Sequence, residues 1–185
     1  MGFFGLLGRA RHERAGFQLY GAAVAAARAP YYFTTLGVPD TLDGRFDLVG
    51  LYAALLIRRL RAAEPGAGKT GADLAQAVFD AMFADMDFNL RELGVGDLSV
   101  AKRVRDMWEA FHGRALAYQA PLDDGDEAAL AAALTRNVWR GAAPDGTALV
   151  LARAALRQAA HLAGQTLGEL RTGKVAFLTA TDAAA

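Results

Sequence analysis

Glu109-Ala110-Phe111-His112 has the Glu-x-x-His spacing that puts two metal ligands on one helix face, as in carboxylate-bridged metal bundles. Such a centre needs a second copy and two further glutamates. The chain has six Glu, and neither His12 nor His161 has one three residues before it, so no metal is expected. Ala63 to Thr70 reads Ala-Glu-Pro-Gly-Ala-Gly-Lys-Thr, a permissive phosphate-binding loop with Ala in place of its first Gly. That loop chemistry requires a buried strand before it and an apolar strand ending in Asp after it. Here Ile57-Arg58-Arg59-Leu60-Arg61 is an arginine-rich helix end, and a flexible linker is the expectation. Asp80, Asp85 and Asp87 could share one helix, but Asp87 stands four residues before Arg91, which suits a surface ion pair. Ser99 is the only serine, with no His near it in sequence, and fits a helix cap better than a nucleophile. With no Cys there is no thiol nucleophile, disulfide or Cys-ligated metal. Neither an enzyme nor a cofactor is expected.

The 185 residues include 42 Ala and 25 Leu against 10 Val and one Ile, a balance that favours helices over sheets. The expected fold is all-α, a single-domain bundle of about six helices. Apolar spacing puts them at residues 16–28, 44–62, 73–93, 97–118, 126–140 and 147–170. An ordered loop, 30–43, separates the first two, with Thr41 or Asp43 available to cap the second. In that second helix Phe46, Val49, Leu56 and Leu60 form one stripe while Leu48, Leu51, Tyr52 and Leu55 cover the other side. A helix apolar nearly all round belongs at the centre of a bundle. Gly94 is placed to end the third helix in a left-handed turn with Val95 folding back, and Asp97 or Ser99 to cap the fourth, so that the two helices form an antiparallel hairpin. Pro121 to Gly125 is expected to break the chain.

Twenty cationic and twenty anionic side chains give zero net charge, which removes the global electrostatic footprint of a nucleic-acid binder; DNA is not an expected partner. The charges are unevenly spread, +4 over residues 1–72, −7 over 73–130 and +3 over 131–185. No apolar run is long enough to span a membrane. Phe3, Phe4, Leu6 and Leu7 ahead of Arg9, Arg11 and Arg14 leave three readings open: a weak peripheral anchor on anionic lipid, a frayed end, or a segment that docks on the core. Residues 1–16 are expected to be mobile, 17–178 to form the domain and 179–185 to be a disordered tail.

The stretch from Ala29-Pro30-Tyr31-Tyr32 through Leu36-Gly37-Val38-Pro39-Asp40-Thr41-Leu42-Asp43-Gly44-Arg45-Phe46-Asp47-Leu48 resembles the signature of the ubiquinol–cytochrome c chaperone family. Similar blocks follow in the family's order: Met82-Phe83-Ala84-Asp85-Met86-Asp87, Asn89 to Asp97, Val100 with Lys102-Arg103, Phe111-His112-Gly113-Arg114 with Tyr118, and Leu134-Thr135-Arg136-Asn137-Val138. The resemblance spans about residues 17–178. It implies a bacterial, non-enzymatic assembly factor for the cytochrome bc1 complex. The implied client is cytochrome b, as apo-protein or early assembly intermediate, with the ribosome or the membrane surface as further partners. The implied location is the cytoplasm, including the cytoplasmic face of the inner membrane. A generic α-helical adaptor for another membrane-associated protein is the alternative.

Within those blocks, Pro39, Asp40, Asp43, Gly44, Gly94, Gly96 and Asp97 read as loop-shaping residues. Asp40, Asp43, Arg45 and Asp47 could form an internal Arg–Asp network, or Arg45 could face the client. Phe83 and Phe88 supply aromatic surface for an apolar client, whereas the spacing of Met82 and Met86 matches the core stripe. Lys102, Arg103 and Arg105 stand at a helix start, where the dipole disfavours cations; they read as partner contacts or as a solvated face paired to Asp106 and Glu109.

Overall fold

The second long helix carries leucine on every side, and the structure, a computed structural model describing residues 3–62, 64 and 68–185, puts it at the centre. In chain order the elements are α1 (Phe3–Ala27), α2 (Pro30–Thr34), α3 (Leu42–Arg61), α4 (Thr70–Glu92), α5 (Asp97–Asp124), α6 (Glu127–Val138), α7 (Thr147–Ala163), α8 (Leu167–Leu170) and α9 (Ala180–Ala184). No strand occurs among the described residues. The central α3 touches α1, α4, α5, α6 and α7, and Leu48, Leu51, Leu55, Leu56 and Leu60 are fully buried there. Burying one such side chain contributes about 1.5–3 kcal/mol, so this helix supplies much of the apolar driving force. Met82 and Met86 of α4 lie in the same core.

Local signals explain the ends of these helices. The hydroxyl of Thr41 accepts from the Gly44 amide at 3.2 Å, so Thr41 rather than Asp43 caps α3. A Cβ at Gly44 would collide with the carbonyl oxygen of Pro39, which is why this turn carries Gly and why Pro39 sits against it. At the end of α4, Gly94 adopts φ 75° and donates to the Arg91 carbonyl at 2.9 Å, while Val95 donates to the Leu90 carbonyl at 3.1 Å. These two bonds close a Schellman turn and fold α5 back on α4, so that Phe83 meets Phe111 and Phe79 meets His112 well away from the turn. Gly94→Ala is expected to cost about 1 kcal/mol because φ is positive. Gly96, at φ −65° with open space around it, does not need glycine for its backbone, so Gly96→Ser, which keeps a favourable N-cap, should not lower the urea midpoint. Equal losses at both positions would contradict this account.

Several expectations are corrected. The first helix begins at Phe3, not at residue 16, and passes that position without a break. The 30–43 loop contains the short α2, with Pro30 in its first turn. It is ordered: Tyr32 is fully buried, and Trp139 donates to the Gly37 carbonyl at 3.1 Å. Neither Asp97 nor Ser99 caps α5. Gly96 occupies that position without a side-chain bond, and the Asp97 carboxylate instead pairs with Arg91 at 2.5 Å. The helix then runs through Pro121 to Asp124, because a proline this near a helix end forfeits a single ladder bond; Gly125 at φ 67° ends it. The stretch 147–170 is two helices. Thr166 and Glu169 form a reciprocal capping box that starts α8, a spacing legible in the sequence. Residues 179–185 are not a loose tail: Thr179 caps α9, and Ala180 and Ala183 are buried. Met1, Gly2, Ala63, Pro65, Gly66 and Ala67, and the side chains of Phe3, Phe4, Leu6 and Leu7, lie outside the described residues, and with them the anchor and most of the phosphate-loop-like segment.

Candidate functional site

A helix packed on one side only should be polar on the other, and α5 is so except at two large apolar residues. Its inner face carries Phe111, Tyr118 and Leu122, all buried. Its outer flank carries Trp108, 45% exposed, and Leu116, 72% exposed. These two border a groove of about 730 Å³ enclosed by the second half of α3, the start of α4, α5 and the end of α7. Leu55, Ile57, Phe79, Phe111 and Leu122 form much of its apolar lining, and Arg58 and Arg61 stand on its α3 side. Arg58 reaches across to Asp123 of α5 at 2.8 Å, with both side chains substantially exposed. Arg59, by contrast, is buried. It donates to the Leu162 carbonyl at 3.1 Å, to the Gln165 carbonyl and to Glu64, joining the end of α3 to the end of α7.

His112 belongs to this wall. Its ring lies 4.1 Å from that of Trp108, and its Nδ1 is 3.0 Å from the Trp108 carbonyl oxygen. No group of three His, Asp or Glu side chains able to hold a metal occurs among the described residues, so the Glu-x-x-His spacing produces an aromatic stack. The three α4 aspartates singled out in the sequence also have partners. Tyr20 donates to Asp85 at 2.7 Å, Gln76 donates to Asp80 at 2.7 Å, and Asp87 pairs with Arg91 at 2.7 Å in the i, i+4 arrangement expected.

A polar cluster joins α3, α5 and the turn after α6. Asp47 of α3 is 1% exposed and meets Arg114 of α5 and Arg140, which follows α6, each at 2.8 Å. The Arg114 guanidinium also lies 5.4 Å from the centre of the Phe46 ring. Arg140 holds φ 55°, a left-handed conformation rare outside glycine that costs about 1 kcal/mol. The strain places its guanidinium on Asp47 and on the Asn137 carbonyl. Burial pushes the Asp47 carboxyl up to about 6, against the opposing pull of Arg114 and Arg140. Burial likewise pushes the Tyr118 hydroxyl up to about 12, so it remains protonated beside the groove.

The structure divides the residues singled out in the sequence. Arg45 and Asp40 pair at 2.6 Å on the surface, and the arginine holds the Asp40 carboxyl below the usual carboxylate range. Asp43 is exposed as well. The expected four-residue Arg–Asp network is therefore not formed; Asp47 alone is internal, and its arginines come from elsewhere. Phe83 packs against Phe79 at 4.7 Å and is half-buried at the back of the groove wall. Phe88 is exposed on the other side of α4, beside Phe17 and Arg28. Nine residues at 100° each separate it from Phe79, which is half a circle. Lys102, Arg103 and Arg105 are exposed, and among the described residues none pairs with Asp106 or Glu109. Reading from sequence assigned no site role to Trp108, Leu116, Arg114 or Arg140. The one usable signal was Asp47 itself, a carboxylate between Phe46 and Leu48 on a central helix, which must find a cation.

Residues 34–177 match the family model described as Ubiquinol-cytochrome C chaperone. A curated relative, ubiquinol-cytochrome-c reductase complex assembly factor 1 of Xenopus laevis, is 25% identical over 184 residues, covering 96% of this chain and 88% of that protein. The crystal structure of the Cbp3 homolog from Brucella abortus superposes with a TM-score of 0.82 at 33% identity, covering 97% of this chain and 98% of that one.

Proposed function

The chain belongs to the ubiquinol-cytochrome C chaperone family, and from that premise we propose that it binds newly made cytochrome b and holds it for assembly of the bc1 complex. The observation that carries this reading is the open groove. An apolar channel bordered by exposed Trp108 and Leu116 is what a protein needs to shield an apolar segment that has not yet met its partners. Among the described residues no helix is long and apolar enough to cross a membrane, so a membrane-protein client would be met at the bilayer surface. The role is that of an assembly factor rather than a catalyst. The buried Asp47 cluster supports it by joining α3 to α5, the two walls of the groove, with a contact that lies outside the client path.

Isolation of the tagged protein from its host in mild detergent should bring cytochrome b with it. Leu116→Asp, which puts a charge on the apolar wall at an exposed position, should lower the recovered cytochrome b by about tenfold or more, consistent with losing a buried interface anchor, while thermal melting stays near wild type. Reversing Lys102 and Arg103 to Glu should give a smaller, salt-sensitive loss if the start of α5 joins the contact. Absence of cytochrome b from the wild-type eluate, or its undiminished recovery with Leu116→Asp, would overturn the assignment.

A further inference from the structure

Resting on the groove reading above, we propose that the groove receives one apolar helix lying along α5, with its C-terminal, carboxylate-bearing end at Arg58 and Arg61. The length fits a single helix. From Trp108 to Asp123, the two ends at which α5 borders the groove, a helix rises about 22 Å. That matches about fifteen residues of a partner helix, less than the ~20 needed to span a bilayer. The volume of about 730 Å³ suits one stripe of side chains entering from a helix face, the recurring helix-in-groove mode.

The walls also select helix over extended chain. They are made of side chains, and Arg59 already occupies the Leu162 and Gln165 carbonyls at the α7 end. An extended segment dried in this channel would leave its own N–H and C=O groups without partners, whereas a helix satisfies them internally.

Charge sets the direction. At the Asp123 end, Arg61 is exposed and forms no ion pair among the described residues, and Arg58 holds Asp123 through an exposed bridge that another carboxylate can displace. Arg59 is engaged by Glu64. At the Trp108 end no charged side chain lines the groove, and the exposed Lys102, Arg103 and Arg105 stand further back, toward the start of α5. A helix carries about half a negative charge at its C-terminus, as do the ends of α3, α5 and α7 that meet here, so it is direct pairing of the partner's last-turn carboxylates with Arg58 and Arg61 that places that end here.

Trp108 provides the readout, since the other tryptophan, Trp139, is buried. The probe is a synthetic sixteen-residue amphipathic Leu/Ala helix with capped ends and two Glu in its last turn, added to the full chain. Its binding should shift Trp108 emission to shorter wavelength. Replacing the two Glu by Gln should weaken binding about threefold to fivefold, as expected of exposed ion pairs, and 0.5 M salt or Arg61→Glu should remove that preference. A nitroxide at the peptide's N-terminus should quench Trp108, and one at its C-terminus should not. Stronger quenching from the C-terminus, equal affinity for the Glu and Gln peptides, or no binding of either would overturn the proposal. So would a Trp108 shift that appears with protein concentration alone, which would mean a second copy fills the groove. If the peptides fail while cytochrome b is still recovered through Leu116, the chaperone reading stands and the helix is wrong. If the peptides bind as described and no cytochrome b is recovered, the reverse holds.

Discussion

Replacing Asp47 by Ala should destabilise the protein by about 3–5 kcal/mol, the range for removing one partner of a buried ion pair. Arg114, whose side chain is 17% exposed, would keep its charge with no carboxylate within reach, whereas the half-exposed Arg140 could turn to water. Asp47→Asn keeps the shape and one acceptor and should cost less. The combined change Asp47→Leu with Arg114→Met should recover much of the loss, because an apolar pair has no desolvation penalty. The pH dependence has a definite sign. The folded carboxyl titrates near 6, above the unfolded value of about 3.9, so between these values the folded chain holds a proton that the unfolded chain has released. The contribution of this site to stability is therefore fully present below about pH 4 and is lost as the pH rises through about 6. The deficit of Asp47→Asn relative to wild type should narrow as the pH is raised from 4 to 7. Urea unfolding at both pH values checks this, and a loss under about 1 kcal/mol for Asp47→Ala would show that the cluster does not hold α3 to α5.

Deleting the gene from its host should lower assembled bc1 complex several-fold while cytochrome b transcript stays constant, since a chaperone protects its client after synthesis and clients left unfolded are degraded. Wild-type protein should restore the complex and Leu116→Asp should not. Native electrophoresis of membranes, with transcript measured in parallel, separates the outcomes. Normal assembled complex in the deletion strain would refute the proposed function, whatever the groove binds in vitro.

The sequence by itself determined the class of fold and most of its punctuation. Ala and Leu in place of β-branched residues specify helices, the all-round leucines of residues 44–60 put α3 at the centre, and Gly94 with Val95 specifies the turn between α4 and α5. These are local effects, fixed by residues within a few positions of one another. The family blocks were legible for the same reason, as short runs in order. The site was not legible, because its parts are joined only by packing. Asp47 finds Arg140 across 93 residues of chain, and Arg140 sits in a turn whose strained conformation no local rule selects. On α5, helical spacing identifies apolar residues on two flanks, but it cannot say which flank a neighbour covers. Packing of α3, α4 and α7 covers Phe111 and Tyr118 and leaves Trp108 and Leu116 facing out. A helix's period is set by its own backbone, whereas the gap between two helices is set by how their side chains interlock with elements far along the chain.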